Sequence, residues 1–285
     1  MADRIRRINA EDVSNAVRDL FLKANSEIGE DVRERLAYAI KAERSELARG
    51  VLTAIQENDA IACEKGLPIC QDTGMAVVFA DVGSLVHIEG DTLENAVNRG
   101  VSEAYLDGKL RCSVVRDPLF YRENTGDNTP AILHIRTVPG DRLKLTAAPK
   151  GFGSENMSAL KMFTPSAKPA DIVDFVVGAV KKAGSNPCPP VTVGVGIGSD
   201  FEGCALLAKK ALTRSLSDRH PDPNYAELEK TILDGINALG IGPQGFGGDT
   251  SAFAVKIEVG PTHIAGLPVA VNVNCHVVRH AEIVL

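Results

Sequence analysis

Gly66-Leu67-Pro68-Ile69-Cys70-Gln71-Asp72-Thr73-Gly74, running into Met75-Ala76-Val77-Val78-Phe79-Ala80-Asp81-Val82, is where this chain changes character. Upstream, residues from about Ala10 to Lys65 read as helix throughout. Val13, Val17, Leu20 and Phe21 recur at three- and four-residue spacing, and Leu36, Ile40, Leu47, Val51 and Ile55 continue the pattern. That stretch is expected to form a helical bundle packed on the domain behind it. At Gly66-Leu67-Pro68 the periodicity breaks, and Met75 to Val82 reads as a buried strand. Thr92 to Leu106 then reads as a helix, and Ala131 to Ile135 and Leu143 to Ala147 as strands. A second block follows, with helices over Ala170–Ala183, Phe201–Leu212 and Tyr225–Leu239 and strands over Val191–Val195, Ala252–Val259 and Leu267–Val273. The expected fold is α/β: an N-terminal helical segment, then two α/β lobes with a seam at Thr164-Pro165-Ser166-Ala167-Lys168-Pro169.

With 285 residues, 44% hydrophobic and 24% charged, the chain is long enough to bury a full core. Its net charge of −6 and the lack of a basic cluster with interleaved aromatics argue against a nucleic-acid partner. An acidic chain also repels anions in general, so an acid substrate needs a local cationic pocket. Met1-Ala2-Asp3-Arg4-Ile5-Arg6-Arg7 lacks the apolar core of a signal peptide, and no apolar run approaches a membrane span. A cytoplasmic, reducing compartment is expected.

Glycines concentrate at Gly151-Phe152-Gly153-Ser154, Gly194-Val195-Gly196-Ile197-Gly198 and Gly240–Gly248. The middle group, read as a turn between strand and helix, superficially resembles a dinucleotide-binding loop and raises a nicotinamide-dependent dehydrogenase as a distant alternative. Its spacing is G-x-G-x-G rather than G-x-G-x-x-G, and the turn-like Ser217-Asp218-Arg219-His220-Pro221 stands where a ribose-binding acid belongs. Gly153 and Ser154, in a loop entering a helix, are candidates for amides that approach an anion.

Six cysteines are present, and three stand in loops: Cys70 in the opening stretch, Cys188 in Asn186-Pro187-Cys188-Pro189-Pro190, and Cys275 in Asn272-Val273-Asn274-Cys275-His276. Thiolates drawn from distant parts of such a chain point to a metal or an iron–sulfur cluster rather than disulfides. Three ligands, not four, would leave one iron open to substrate. Spacing alone does not fix which three serve. Cys63 falls within a helix, Cys204 can pack as a small hydrophobe, and Cys112 reads as a pocket-wall residue. Asp72, two residues after Cys70, is a candidate acid or base, although a turn aspartate is usually a backbone cap. His263 lies between two apolar strands, where a histidine is more often structural. Arg111 and Lys150 are candidate carboxylate clamps, Arg being the bidentate one.

These segments closely resemble the iron–sulfur hydro-lyases that comprise class I fumarase and L-tartrate dehydratase. The matching words are Pro68–Gly74, Glu123-Asn124-Thr125-Gly126-Asp127-Asn128, Gly153-Ser154-Glu155-Asn156-Met157-Ser158, Cys188-Pro189-Pro190-Val191, Gly240-Ile241-Gly242-Pro243, His263–Val269 and Cys275–Glu282. The resemblance covers nearly the whole chain. It implies a [4Fe-4S] cluster held by Cys70, Cys188 and Cys275, around which the two lobes are arranged. It further implies substrate contacts from Gln71, Asp72, Arg111, Gly153 and His263, with Asp72 and His263 as catalytic residues. The family pattern includes a C-terminal swivelling domain. Because the chain stops ten residues beyond Cys275, it looks like the alpha subunit of a two-subunit enzyme, with a separate beta subunit and a hetero-oligomer such as α2β2. The implied reaction is the hydration of fumarate to L-malate, a step of the tricarboxylic acid cycle. Dehydration of L-tartrate to oxaloacetate is the close alternative, and a methylated fumarate is a further substrate to test. The base acting at C3 is expected on the partner chain.

Overall fold

The structure is a computed structural model, and it describes residues 5–285. The chain is divided between two compact units. The first takes the chain up to Ile28, then Asp59–Gly151 and Arg279–Leu285; the second takes Gly29–Asn58 and Phe152–Val278. The expected seam at Thr164–Pro169 is not a boundary: the division falls at Gly151/Phe152, and Thr164–Pro169 lies inside the second unit.

The run expected as helix throughout is three helices, α1 (Ala10–Ser26), α2 (Glu30–Ala42) and α3 (Glu46–Lys65). They do not form a bundle of their own. α1 belongs to the first unit, α2 to the second, and α3 starts in the second and ends in the first. The break after α2 has a clear cause. Glu43 is buried, and its carboxylate accepts the amides of Ser45 at 3.1 Å and of Asp249 and Thr250 at 2.9–3.0 Å. Satisfying a carboxylate with three backbone donors favours the bend over continued helix.

In the first unit, β2 (Met75–Gly83) pairs parallel with β4 (Ile132–Val138) and antiparallel with β5 (Leu143–Lys150), which pairs with β10 (Ala281–Val284). α1 and α4 (Leu93–Asp107) cover one face. Val13, Val17, Leu20 and Phe21 meet Val97, Val101 and Tyr105 over the alternating residues Ala76, Val78 and Ala80 of β2. Thr92, placed within the helix by the sequence reading, is instead its N-cap: the hydroxyl accepts the Asn95 amide at 3.1 Å, a contact of about 1 kcal/mol. A small ribbon, β1 (Arg6–Asn9) with β3 (Val86–Glu89), was not foreseen.

The second unit has the sheet order β6 (Ala159–Phe163), β9 (Leu267–Asn274), β7 (Val191–Ser199), β8 (Ala252–Thr262). On one face, Val191, Val193, Val195 and Ile197 of β7 pack with α6 (Pro169–Ala183) and α8 (Pro223–Asn237). On the other lies α7 (Phe201–Ala211), through Cys204 and Ala208. Here the glycine group expected as a turn is corrected: Gly194, Gly196 and Gly198 are strand residues. A Cβ on Gly194 or Gly196 would run into the carbonyl oxygens of Ala208 or Cys204. The glycines therefore let α7 approach the strand closely, and the dinucleotide loop on which the dehydrogenase alternative rested is not formed there. No helix among the described residues is long and apolar enough to cross a membrane.

Candidate active site

In the first unit, the candidate residues gather on the turn between α3 and β2. Asp72 Oδ1 accepts the Gly74 amide at 3.0 Å, the Asx turn that its sequence position suggests. The turn is gripped from several sides. Arg279 is buried, and its Nη1 donates to the Asp72 carbonyl at 2.7 Å and to Asn25 Oδ1 at 3.1 Å. Asn25, also buried, accepts the Ile69 amide on its own carbonyl at 2.9 Å. The Tyr105 hydroxyl stands 2.8 Å from the carbonyls of both Thr73 and Gly74. Burial pushes the Tyr105 phenol well up, so it remains a donor across the ordinary pH range. Asn128 Nδ2 donates to the Gly74 carbonyl at 3.1 Å while its Oδ1 accepts the Ser113 amide at 2.7 Å.

Arg111 is tied to the same turn, since Thr73 Oγ1 donates to its carbonyl at 3.0 Å, and its side chain is exposed. Gln71 is exposed and Cys70 half-buried. Lys150 is not the surface charge an isolated lysine tends to be: it is 4% exposed and pairs with Met75, the residue after the turn. Gly151 follows. A side chain there would meet Asp72 Oδ2 at 3.0 Å and Arg279 Nη2 at 3.2 Å, so glycine leaves the space that this carboxylate and guanidinium fill.

In the second unit, Cys188 and Cys275 are brought together through their backbones. The His276 amide donates to the Cys188 carbonyl at 3.1 Å. Cys188 is exposed between buried prolines and adopts φ 53°, a left-handed conformation unusual for a residue with a Cβ. Gln244 secures the next residue, its amide and Nε2 reaching the Pro189 carbonyl at 2.7 and 2.9 Å, and Nε2 also lies 3.1 Å from His276 Nδ1. Gly153 sits in a single helical turn, α5 (Phe152–Glu155), rather than at the start of a longer helix. A Cβ on Gly153 would lie 3.6 Å from the Asn186 carbonyl, which places this turn beside the Cys188 loop. Glu155 anchors the turn through Lys209 at 2.5 Å and Asn272 at 2.8 Å.

His263 is not part of that gathering. It is exposed in the tight connection between β8 and β9, where its Nδ1 accepts the Ala265 amide at 3.1 Å. Cys275 follows the other end of β9. Eight strand residues at ~3.3 Å each separate them by about 26 Å.

None of the six cysteines forms a disulfide. Burial first, then Asp127, raises the Cys112 thiol, and burial, then Asp200, raises Cys204. Both are thereby disfavoured as thiolate ligands. Among the described residues, no group of three or more His, Cys, Asp or Glu stands ready to hold a metal ion. The donor chemistry of Cys70, Cys188 and Cys275 fits an iron–sulfur cluster: three thiols on loops, none consumed by a disulfide, with two loops linked by a backbone hydrogen bond. Sequence reasoning missed Tyr105 and Asn25, which carried no signal beyond helix periodicity. It assigned no role to Asn128, His276 or Arg279, although all three lie in the matching words.

Comparison with known proteins defines an enzyme class, the hydro-lyases, which add water to or remove it from a carbon skeleton. The family model described as fumarate hydratase (Fumerase) matches residues 14–284, and the chain belongs to that family. A Methanocaldococcus jannaschii protein, provisionally named L(+)-tartrate dehydratase subunit alpha, is 42% identical over 274 residues, covering 94% of this chain and 96% of the relative. The L(+)-tartrate dehydratase subunit alpha of Escherichia coli O157:H7 is 33% identical over 258 residues, 90% of this chain and 85% of its own. That of Escherichia coli strain UTI89 is 34% identical, covering 86% and 82%.

Proposed function

We propose that this chain is the cluster-bearing alpha subunit of a two-subunit fumarate hydratase, working with a separate beta chain. The single observation that carries the reading is the Cys70–Gly74 turn, held by Arg279, Tyr105 and Asn128, with the Arg111 backbone carbonyl bonded to its Thr73 hydroxyl. So many fixed contacts suit a catalytic carboxylate more than a plain turn cap. Cys70, Cys188 and Cys275 would hold a [4Fe-4S] cluster, and the chemistry it would supply there is Lewis acidity toward a hydroxyl. Asp72 holds the proton that departs with that hydroxyl. Arg111 grips one carboxylate of the substrate in a bidentate pair, and Gln71 and the Gly153 turn supply further polar contacts. The base acting on C3 comes from the beta chain, and clamping the dicarboxylate fixes which hydrogen faces it. His263 is assigned to catalysis by family resemblance alone, and it makes no contact with Cys188 or Cys275 of its own unit.

A second reading, dehydration of L-tartrate to oxaloacetate, is favoured by the names of the relatives. One hydroxyl separates the two substrates, a difference that a few contacts decide. The test is an anaerobic assay of the reconstituted alpha and beta chains with fumarate, L-tartrate and mesaconate. Preferred turnover of fumarate supports the first reading, preferred turnover of tartrate replaces it with the second, and turnover of none of them overturns both.

A further inference from the structure

The exposed apolar residues Leu119, Phe120 and Tyr121 are consecutive, at 71%, 79% and 86% exposure. They form the tip of a short hairpin closed by the Val115–Asn124 bridge and by the amides of Arg116 and Thr125 donating to Glu123 and Val114 at 2.8 and 2.9 Å. The tip is built, not slack. Asp117 Oδ1 accepts the amides of Leu119, Phe120 and Tyr121 at 3.0, 2.5 and 3.1 Å, and Arg122 Nη1 donates to the Pro118 carbonyl at 2.6 Å. A chain segment this constrained presents three large side chains to water at a standing cost, which a partner surface would remove.

The base of the hairpin says which partner. Asn124 Nδ2 donates to the Cys112 carbonyl at 2.9 Å, Ser113 is fixed by Asn128, and Arg111 and Asn128 both bond the Cys70–Gly74 turn. The residues that hold the catalytic turn are the ones from which this apolar tip projects. A chain that completes the site over Arg111 must come up beside it. With aromatic side chains burying roughly 150–250 Å² each, Phe120 and Tyr121 alone can supply about 300–500 Å², a large share of the ~800 Å² that one partner gives to a standard interface.

We propose that Leu119, Phe120 and Tyr121 are the docking anchor for the beta chain, an inference that rests on the two-subunit reading above. The partner surface should be an apolar pocket able to take two aromatic rings. To test it, a beta-subunit homologue is produced separately, and its affinity for the anaerobically purified chain is measured by titration calorimetry. Phe120→Asp combined with Tyr121→Asp is expected to weaken binding at least 100-fold, and Tyr121→Lys alone about tenfold. Iron content and thermal melting of the isolated chain should match the parent, because these side chains support no core. Unchanged affinity in both variants would overturn the docking assignment. Failure of the parent chain to bind the homologue would overturn the two-subunit reading itself. Loss of self-association with beta binding intact would reassign the surface to a second copy and likewise overturn the proposal.

Discussion

Asp72 and Arg279 both act on the Cys70–Gly74 turn, and single substitutions should separate a proton-carrying role from a structural one. Asp72→Asn keeps an oxygen to accept the Gly74 amide, so the turn and the iron content should survive. Turnover should fall roughly 10²- to 10⁴-fold if the carboxylate carries a proton. Near-normal turnover would return Asp72 to a turn cap. Arg279→Met removes the buried donor that spans Asn25 and the Asp72 carbonyl. Hydrogen bonds from a charged donor are worth about 1.5–3 kcal/mol, so a melting experiment should register that order of loss together with reduced turnover. Arg279→Lys should recover only part of it, since a single ammonium does not reproduce the planar fork. Asp72 and Arg111 stand out in the sequence as candidates because their residue types announce chemistry. Arg279 does not, because nothing about an arginine four residues after Cys275 says that it is buried against a turn 207 positions earlier.

Among the elements, α7 against β7 is the packing most exposed to test. Gly196→Ala would drive a methyl into the Cys204 carbonyl, and overpacking of this kind costs about 1–3 kcal/mol. The urea midpoint should drop accordingly, and an unchanged midpoint would contradict the close approach. Sequence pattern alone ends this strand at Val195 and turns the chain at the glycines, which are poor strand formers. The close approach of a helix, which no local pattern encodes, reversed that preference. Longer elements such as α4, α6 and β2 were legible through periodicity, whereas β1, β6 and β10 are too short to show one. The hairpin tip gives a pH test. The amides of Phe120, Tyr121 and Leu119, with Arg122 nearby, hold the Asp117 carboxyl below its ordinary value. A depressed acid contributes stability that is complete above its unfolded pKa of about 3.9 and is lost as pH falls through the folded value. The three amide resonances should therefore titrate together with a midpoint below 3.9, and Asp117→Asn should abolish the transition.

Across the whole molecule, the α/β class and the loop placement of three cysteines were legible in the sequence, whereas the division of the chain was not. Composition marks linkers, and Thr164–Pro169 looks like one, yet both units are assembled from separated segments, so no single linker divides them. The central claim is that Cys70, Cys188 and Cys275 hold one [4Fe-4S] cluster. It is tested most directly by iron and sulfide analysis of the anaerobically reconstituted chain and its serine variants. The account predicts about four irons per chain, lost in Cys70→Ser, Cys188→Ser and Cys275→Ser and kept in Cys63→Ser and Cys204→Ser. A chain that retains its iron without Cys275, or loses it without Cys204, would contradict the ligand assignment and the mechanism that depends on it.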